Sequence, residues 1–205
     1  MEKLFRDEKM NVKIVGLCGK KGSGKSSIAH FLCGKMPEVT ELVPFAWPLK
    51  KMCMNAFGLS LGQVESQEGK DAVHEKSGMT VRQILQHVGT DVFRKIDPDC
   101  WVRMWEMEVL KISKPHGVVI IVPDVRFPNE AAAVREMGGI VIGLLRKPAD
   151  DDHESEQSVD ECVCDGFINN REMDKRQQNE AVWKRLTMPG GYLEEMRELA
   201  TDLHG

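Results

Sequence analysis

An α/β fold built on a central parallel sheet, with helices on both faces, is predicted by three observations. Short apolar runs rich in branched residues alternate with stretches of helical period, the pattern of strands joined by helical crossovers. The longest run, Val118 to Val125, is almost continuously apolar, as in a parallel strand covered on both faces. A glycine-rich loop, "GKKGSGKS" from Gly19 to Ser26, separates the first run from the first helical stretch. At 205 residues the chain suits one domain, residues 1–205, with a substantial core.

The elements follow in order. "VKIVGLC", Val12 to Cys18, reads as the first strand, and "SSIAHFLCGK" as a helix with Ile28, Phe31 and Leu32 on one face. "TELVPFA", Thr40 to Ala46, is expected to be a second strand, and "PLKKMCMNAFG" a helix opened by Pro48 and stopped near Gly58. The polar stretch "GQVESQEGKDAVHEKSG" has no clean period, so residues 62–79 are expected to be a mobile, substrate-covering connection that moves on binding.

Thr80 and Gln83 fit a capping box, with Val81, Ile84, Leu85 and Val88 on one helical face and Arg82 and Gln86 on another. A further helix is expected in "DPDCWVRMWEMEVL", with Asp97 as cap and Val102, Trp105 and Val109 facing inward. Trp101 and Trp105 are read as core. After the long strand come a helix in "PNEAAAVREMGG" ending at Gly138, a strand from Ile140 to Arg146, and a short strand in "GFIN". The tail has helical periodicity split by Pro189, Gly190 and Gly191, suited either to packing on the sheet or to a homodimer contact.

Composition narrows the function. A formal charge of −4 argues against broad electrostatic binding to nucleic acid or an acidic membrane, while allowing a local basic site for phosphates. "MEKLFRDEKMN" lacks the apolar core of a secretory signal and no run is long enough to span a bilayer, so a cytoplasmic protein is expected. Six scattered cysteines suggest reduced thiols. Cys162 and Cys164, even with His153 upstream, lack the paired spacing of a zinc fold, and the acidic "DDDHESE" reads as a solvated loop.

The glycine loop matches G-x-x-x-x-G-K-[ST], which grips nucleotide phosphates with backbone N–H groups and a helix N-terminus. Gly19, Gly22, Ser23, Gly24, Lys25, Ser26 and Ser27 are therefore the expected nucleotide contacts. Lys25 would reach the β- and γ-phosphates and Ser26 would offer its hydroxyl to Mg²⁺. Asp124, closing the long strand, should emerge at the same sheet edge, where a carboxylate can hold Mg²⁺. Arg126 beyond it would neutralise a phosphoryl group in transfer. Arg146, and Arg82 with them, would gather cations where a nucleotide meets a second phosphorylated molecule, as kinase chemistry requires and simple ATP hydrolysis does not. The base-reading N-K-x-D of GTPase switches is missing, the corresponding stretch being "INNRE".

An ordered series of stretches resembles the bacteriophage-type deoxynucleoside monophosphate kinases of the P-loop kinase superfamily. It comprises "GLCGKKGSGKSSIAHFL", "FAWPLK", "GTDVFRKIDPDCWV", "VIIVPDVRFPNEAAAVREMGGIVIGLLRK", "HESEQ" and "FINN", spanning roughly residues 12 to 170. The resemblance implies a three-layer P-loop kinase fold and transfer of the ATP γ-phosphate, with Mg²⁺, to a deoxynucleoside 5′-monophosphate. It implies that Lys25 and Ser26 serve the ATP phosphates and Mg²⁺ and that Arg126 serves the phosphates under transfer; with Asp124, read from its strand end, Lys25 and Arg126 are the residues expected to run the chemistry. It also implies that Arg82 meets the monophosphate, with Gln86, Lys50 and Trp47 in the acceptor pocket, and that Arg146, "RKPADDDHESE" and Asn170 border the adenine. Trp47 departs from the small or acidic residue that relatives often carry, and it is expected either to fill core or to stack on a base. Residues 171–205 form a helical extension outside the resemblance. Animal-type phosphomevalonate kinases share the loop, "PLK", the Asp-x-Arg strand end and "ESE". A nucleotide-binding switch without an acceptor is the alternative from another class.

Overall fold

The computed structural model describes residues 12–112, 114–146 and 158–203. "MEKLFRDEKMN", His153, "DDDHESE" and most of the stretch expected beside the adenine lie outside the described residues. The chain forms two compact units, Met1–Pro44 with Glu106–Gly205, and Phe45–Trp105.

The first unit holds a five-stranded parallel sheet in the order β2-β3-β1-β4-β5. The strands are β1 (Val12–Cys18), β2 (Thr40–Leu42), β3 (Val118–Val125), β4 (Ile140–Leu144) and β5 (Gly166–Ile168). Side chains alternate across β1. Val15 and Leu17 face a cluster holding Ile28, Ala29 and Leu32 of helix α1 (Lys25–Lys35), whereas the bare backbone of Gly16 lies against Val134 of helix α7 (Pro128–Glu136). Helices thus cover both faces, as the continuously apolar β3 requires.

Two departures from the expected strands have local causes. β2 ends at Leu42 rather than Ala46: the Val43 N–H still reaches the Ile121 carbonyl at 3.0 Å, and Pro44, without an N–H, stops the ladder. In β3 the register against β1 shifts by one residue between Gly16 and Cys18, so Pro123 falls at a bulge.

The tail forms α8 (Lys175–Thr187) and α9 (Glu194–Asp202). Val182, Leu186, Leu193, Met196 and Ala200 share the cluster of Val15 and Leu17, so the tail completes the core on the α1 face of the sheet. Leu186 is 1% exposed, and Leu186→Ala is expected to destabilise the protein by about 3 kcal/mol. In thermal denaturation followed by circular dichroism, that corresponds to a fall in Tm of about 6–12 °C. A Tm unchanged within about 1 °C would mean that the tail is an appendage.

The second unit contains α2 (Trp47–Phe57), α3 (Leu61–Glu65), α4 (Gln67–Asp71), α5 (Val81–Gln86) and a π-helix (His87–Arg94), and it includes the first turns of α6 (Cys100–Val109). α2 stops at Gly58 in the left-handed conformation, φ 67°, as anticipated. The polar connection is not structureless. Ser60 and Ser66 cap α3 and α4, and Val64 is buried with Cys53, Leu59, Val81 and Ile84. Helices of five residues are too short to show a helical period, which explains why sequence inspection passed over them.

The Thr80–Gln83 capping box forms as expected, but the chain does not stop at Gly89 and widens into the π-helix. Both tryptophans are core. The Trp101 Nε1–H donates to the Gly89 carbonyl at 3.0 Å, and the Trp105 ring lies 4.5 Å from that of Phe45.

Candidate functional site

The loop between β1 and α1 turns at Gly22, φ 78°, and Gly24, φ 101°, conformations that only glycine adopts cheaply. Gly24 caps α1 without a side-chain oxygen, leaving the leading N–H groups of the helix and their partial positive charge uncapped by the protein's side chains. Ser26 is exposed in the first turn and Ser27 half-buried behind it. Lys25 is 8% exposed, its ammonium folded into the loop: it donates to the carbonyls of Gly19 and Lys20, the latter at 2.9 Å, and approaches Ser23 Oγ at 3.3 Å. A cation is thereby stored inside the loop.

Parallel pairing brings the next residues to this edge. Val125 lies opposite Cys18, the last strand residue before the loop, so Asp124 and Arg126 flank the same carboxyl end of the sheet. Glu130, 3% exposed, accepts from the N–H groups of Arg126 at 2.8 Å and Phe127 at 3.2 Å, fixing the turn that carries Arg126. Inspection of the sequence missed Glu130, although its place two residues after Pro128, at the start of a helix, was a usable signal.

Arg146 stands just past β4 and donates to the Met173 carbonyl at 2.7 Å. Met173 helps line a cavity of about 560 Å³ with Asn169, Arg171, Glu172 and Gln177, between β5 and α8. Asn170 points elsewhere. Fully buried, its Nδ2 donates to the Ser23 carbonyl at 2.8 Å and to Gln178 Oε1 at 2.9 Å, so it meets the underside of the loop.

The four residues expected in the acceptor pocket lie in the second unit. Lys50 is paired to both carboxylate oxygens of Glu65 at 3.0 Å, and Arg82 to Asp71 at 2.8 and 3.0 Å and to Gln67 at 3.0 Å. Trp47 opens α2 half-buried, with the Lys51 ammonium 5.7 Å from its ring centroid, and Gln86, also half-buried, ends α5. Both cations expected in the acceptor pocket are thus held by acids of α3 and α4, partners that no sequence period announced.

Ser26 and Asp124 offer a hydroxyl and a carboxylate, the hard oxygen donors that Mg²⁺ prefers. Among the described residues no three His, Cys, Asp or Glu side chains form a metal cage. Such a sparse donor set fits an ion that takes its remaining oxygens from phosphates and water. Cys18, beside the loop, stays out of this chemistry. A hydrogen bond with Cys162 and burial push its thiol up to about 12, so it remains protonated at neutral pH. No described helix is long and apolar enough to cross a membrane.

Comparison with known proteins places these features in company. Residues 59–176 match the family described as deoxynucleotide monophosphate kinase. A protein of Acanthamoeba polyphaga mimivirus named "Putative deoxynucleotide monophosphate kinase" is 37% identical over 158 residues, covering 70% of this chain and 80% of its own length. Among solved structures, shikimate kinase from Acinetobacter baumannii in complex with shikimate aligns with 90% of this chain and 96% of its own, at 12% identity and a TM-score of 0.46. Shikimate kinase from Bacteroides thetaiotaomicron aligns with 85% and 96%, at 16% identity and a TM-score of 0.44. At these identities and scores neither says what this chain binds.

Proposed function

The chain belongs to the deoxynucleotide monophosphate kinase family, and from that premise we propose that it transfers the γ-phosphate of ATP, with Mg²⁺, to a deoxynucleoside 5′-monophosphate. The family is one of phosphotransferases; the donor, the ion and the diphosphate product are the finer reading. The observation that carries it is the loop geometry: an uncapped helix N-terminus and a stored ammonium at the sheet edge that also carries Asp124 and Arg126.

In this reading an oxygen of the acceptor's phosphate attacks the γ-phosphorus in line, a new O–P bond forms, the bond to the β-phosphate oxygen breaks, and ADP leaves. Lys25 exchanges its loop carbonyls for phosphate oxygens, and Gly22 to Ser27 hold the phosphate chain through backbone N–H groups. Ser26 and Asp124 would hold Mg²⁺, which when bound would supply neutralisation of phosphate charge. Arg126 stabilises the charge spread over the group in transfer, its backbone already fixed by Glu130. Arg146 and the cavity beside Met173 suit the nucleoside end of ATP. Trp47, Lys50, Arg82 and Gln86 are assigned to the acceptor, for which Lys50 and Arg82 would exchange a carboxylate for a phosphate.

The family match favours a nucleotide acceptor over phosphomevalonate, and over a switch with no acceptor. The test is ADP release from Mg²⁺-ATP with the four common deoxynucleoside monophosphates, their ribose counterparts and phosphomevalonate offered singly. At least tenfold stimulation by one or more deoxynucleoside monophosphates is expected. Stimulation by phosphomevalonate alone would change the substrate class, and no stimulation by any acceptor would leave the switch as the better reading.

A further inference from the structure

We infer that Gln178, on the C-terminal helix α8, is a positioning residue for ATP: with Asn170 it holds the phosphate loop from beneath and sets the direction of a loop N–H. The inference rests on the proposal that this loop binds the phosphates of ATP. It extends the site to a helix that no loop motif includes.

Three observations converge on one spot. The Asn170 amide nitrogen donates both to the Ser23 carbonyl, 2.8 Å, and to Gln178 Oε1, 2.9 Å, and both side chains are fully buried. The Ser23 carbonyl can only accept, so it orients the Asn170 amide, which in turn orients that of Gln178. Second, the Gln178 amide fills the space that a side chain at residue 24 would need: a Cβ on Gly24 would lie 2.5 Å from Gln178 Oε1 and 2.7 Å from Nε2. Gly24 is therefore required twice, by its φ of 101° and by Gln178 beneath it. Third, Asn170 Oδ1 and Gln178 Nε2 have no hydrogen-bond partner despite complete burial. Fold stability alone would favour an apolar pair at this place, because a half-satisfied buried amide pair costs more than it returns. Its presence here is accounted for by what it does to the loop.

The effect follows from peptide geometry. In a planar trans peptide the carbonyl of one residue and the N–H of the next point in opposite directions. Pinning the Ser23 carbonyl inward therefore turns the Gly24 N–H outward, away from Asn170 and toward the side on which an anion is cradled. Gln178 keeps Asn170 in the orientation that does this. Preset N–H donors bind phosphate without the cost of turning the peptide at each encounter.

The test compares two variants of Gln178 with a core variant of the same helix, using the full chain. Gln178→Met keeps the volume and removes the amide. It is expected to raise KM for ATP at least tenfold while KM for the deoxynucleoside monophosphate stays within twofold. Val182→Ala, buried in the core on α8, should lower Tm at least as much as Gln178→Met and leave KM for ATP within twofold. Gln178→Glu keeps the acceptor oxygen facing Asn170 and places an ionisable group under the loop, so its KM for ATP should climb as pH rises from 6 to 8.5 while that of wild type stays flat.

An unchanged KM for ATP in Gln178→Met, or parallel changes in both KM values, would overturn the inference. So would failure of both Gln178 variants to fold, which would assign the pair to folding. Wild-type protein that neither binds nor turns over ATP would instead overturn the loop reading on which the inference stands, so the two failures are separable.

Discussion

Lys25→Met is expected to lower kcat/KM for phosphoryl transfer at least a thousandfold, about 4 kcal/mol of transition-state stabilisation. The methionine keeps an unbranched stem of similar length, so the loop loses a charge and little volume. In the structure the buried ammonium donates to the carbonyls of Gly19 and Lys20, contacts that stay within the loop and outside the hydrophobic cluster of Ile28 and Leu32. Folding should therefore survive, with Tm within a few degrees of wild type. The cost falls on the transition state, because Lys25 is the loop cation at the head of α1, whereas Lys20 is paired with Asp160 at 2.7 Å. Coupled assay of ADP release, with a melting curve on the same preparation, is the check. Activity within tenfold of wild type would remove Lys25 from the chemistry.

Arg126→Ala should reduce kcat by about three orders of magnitude, the scale attached to a guanidinium that stabilises charge on a transferring phosphoryl group. The prediction separates side chain from scaffold. The turn after β3 is tied by Glu130 to the backbone N–H groups of residues 126 and 127, and an alanine keeps both. Loss of rate without loss of Tm is expected, with either KM changed far less than kcat. Arg126→Lys should recover only part of the rate, because an ammonium supplies charge without the planar fork that matches phosphate oxygens. An unchanged kcat in a folded Arg126→Ala protein would reduce Arg126 to a surface residue. Glu130→Gln offers a second view: it retains an acceptor oxygen, so it should preserve the turn, and a rate loss well below that of Arg126→Ala is expected.

The phosphate loop was legible because everything it needs is local. A strand, a glycine turn and a helix within about twenty-five residues leave spacing and residue type to carry the signal, and the structure follows them from Val12 to Lys35. The arrangement of Asp124 and Arg126 at the same edge was legible one level up, since parallel strands joined by crossovers must present their carboxyl ends together. The family was legible from stretches beyond the loop: the matching model begins at residue 59 and ends at 176. The two-way reading of the tail could not be resolved in the same manner, because periodicity reports an apolar face and not what covers it.

Partner choice belongs to the folded chain. Asn170, expected beside the adenine, lies under Ser23, 147 positions away in sequence, and no period or motif spans such a distance. Gln178 had no signal at all, and Lys50 and Arg82 could be recognised as cations without any hint that Glu65 and Asp71 hold them. Residue type and spacing dictate which groups exist and which strand end they occupy, because backbone geometry repeats every 2 or 3.6 residues. Which of those groups touch, and which are buried beneath the loop, depends on packing between segments far apart in the chain, and that is written only in the tertiary structure.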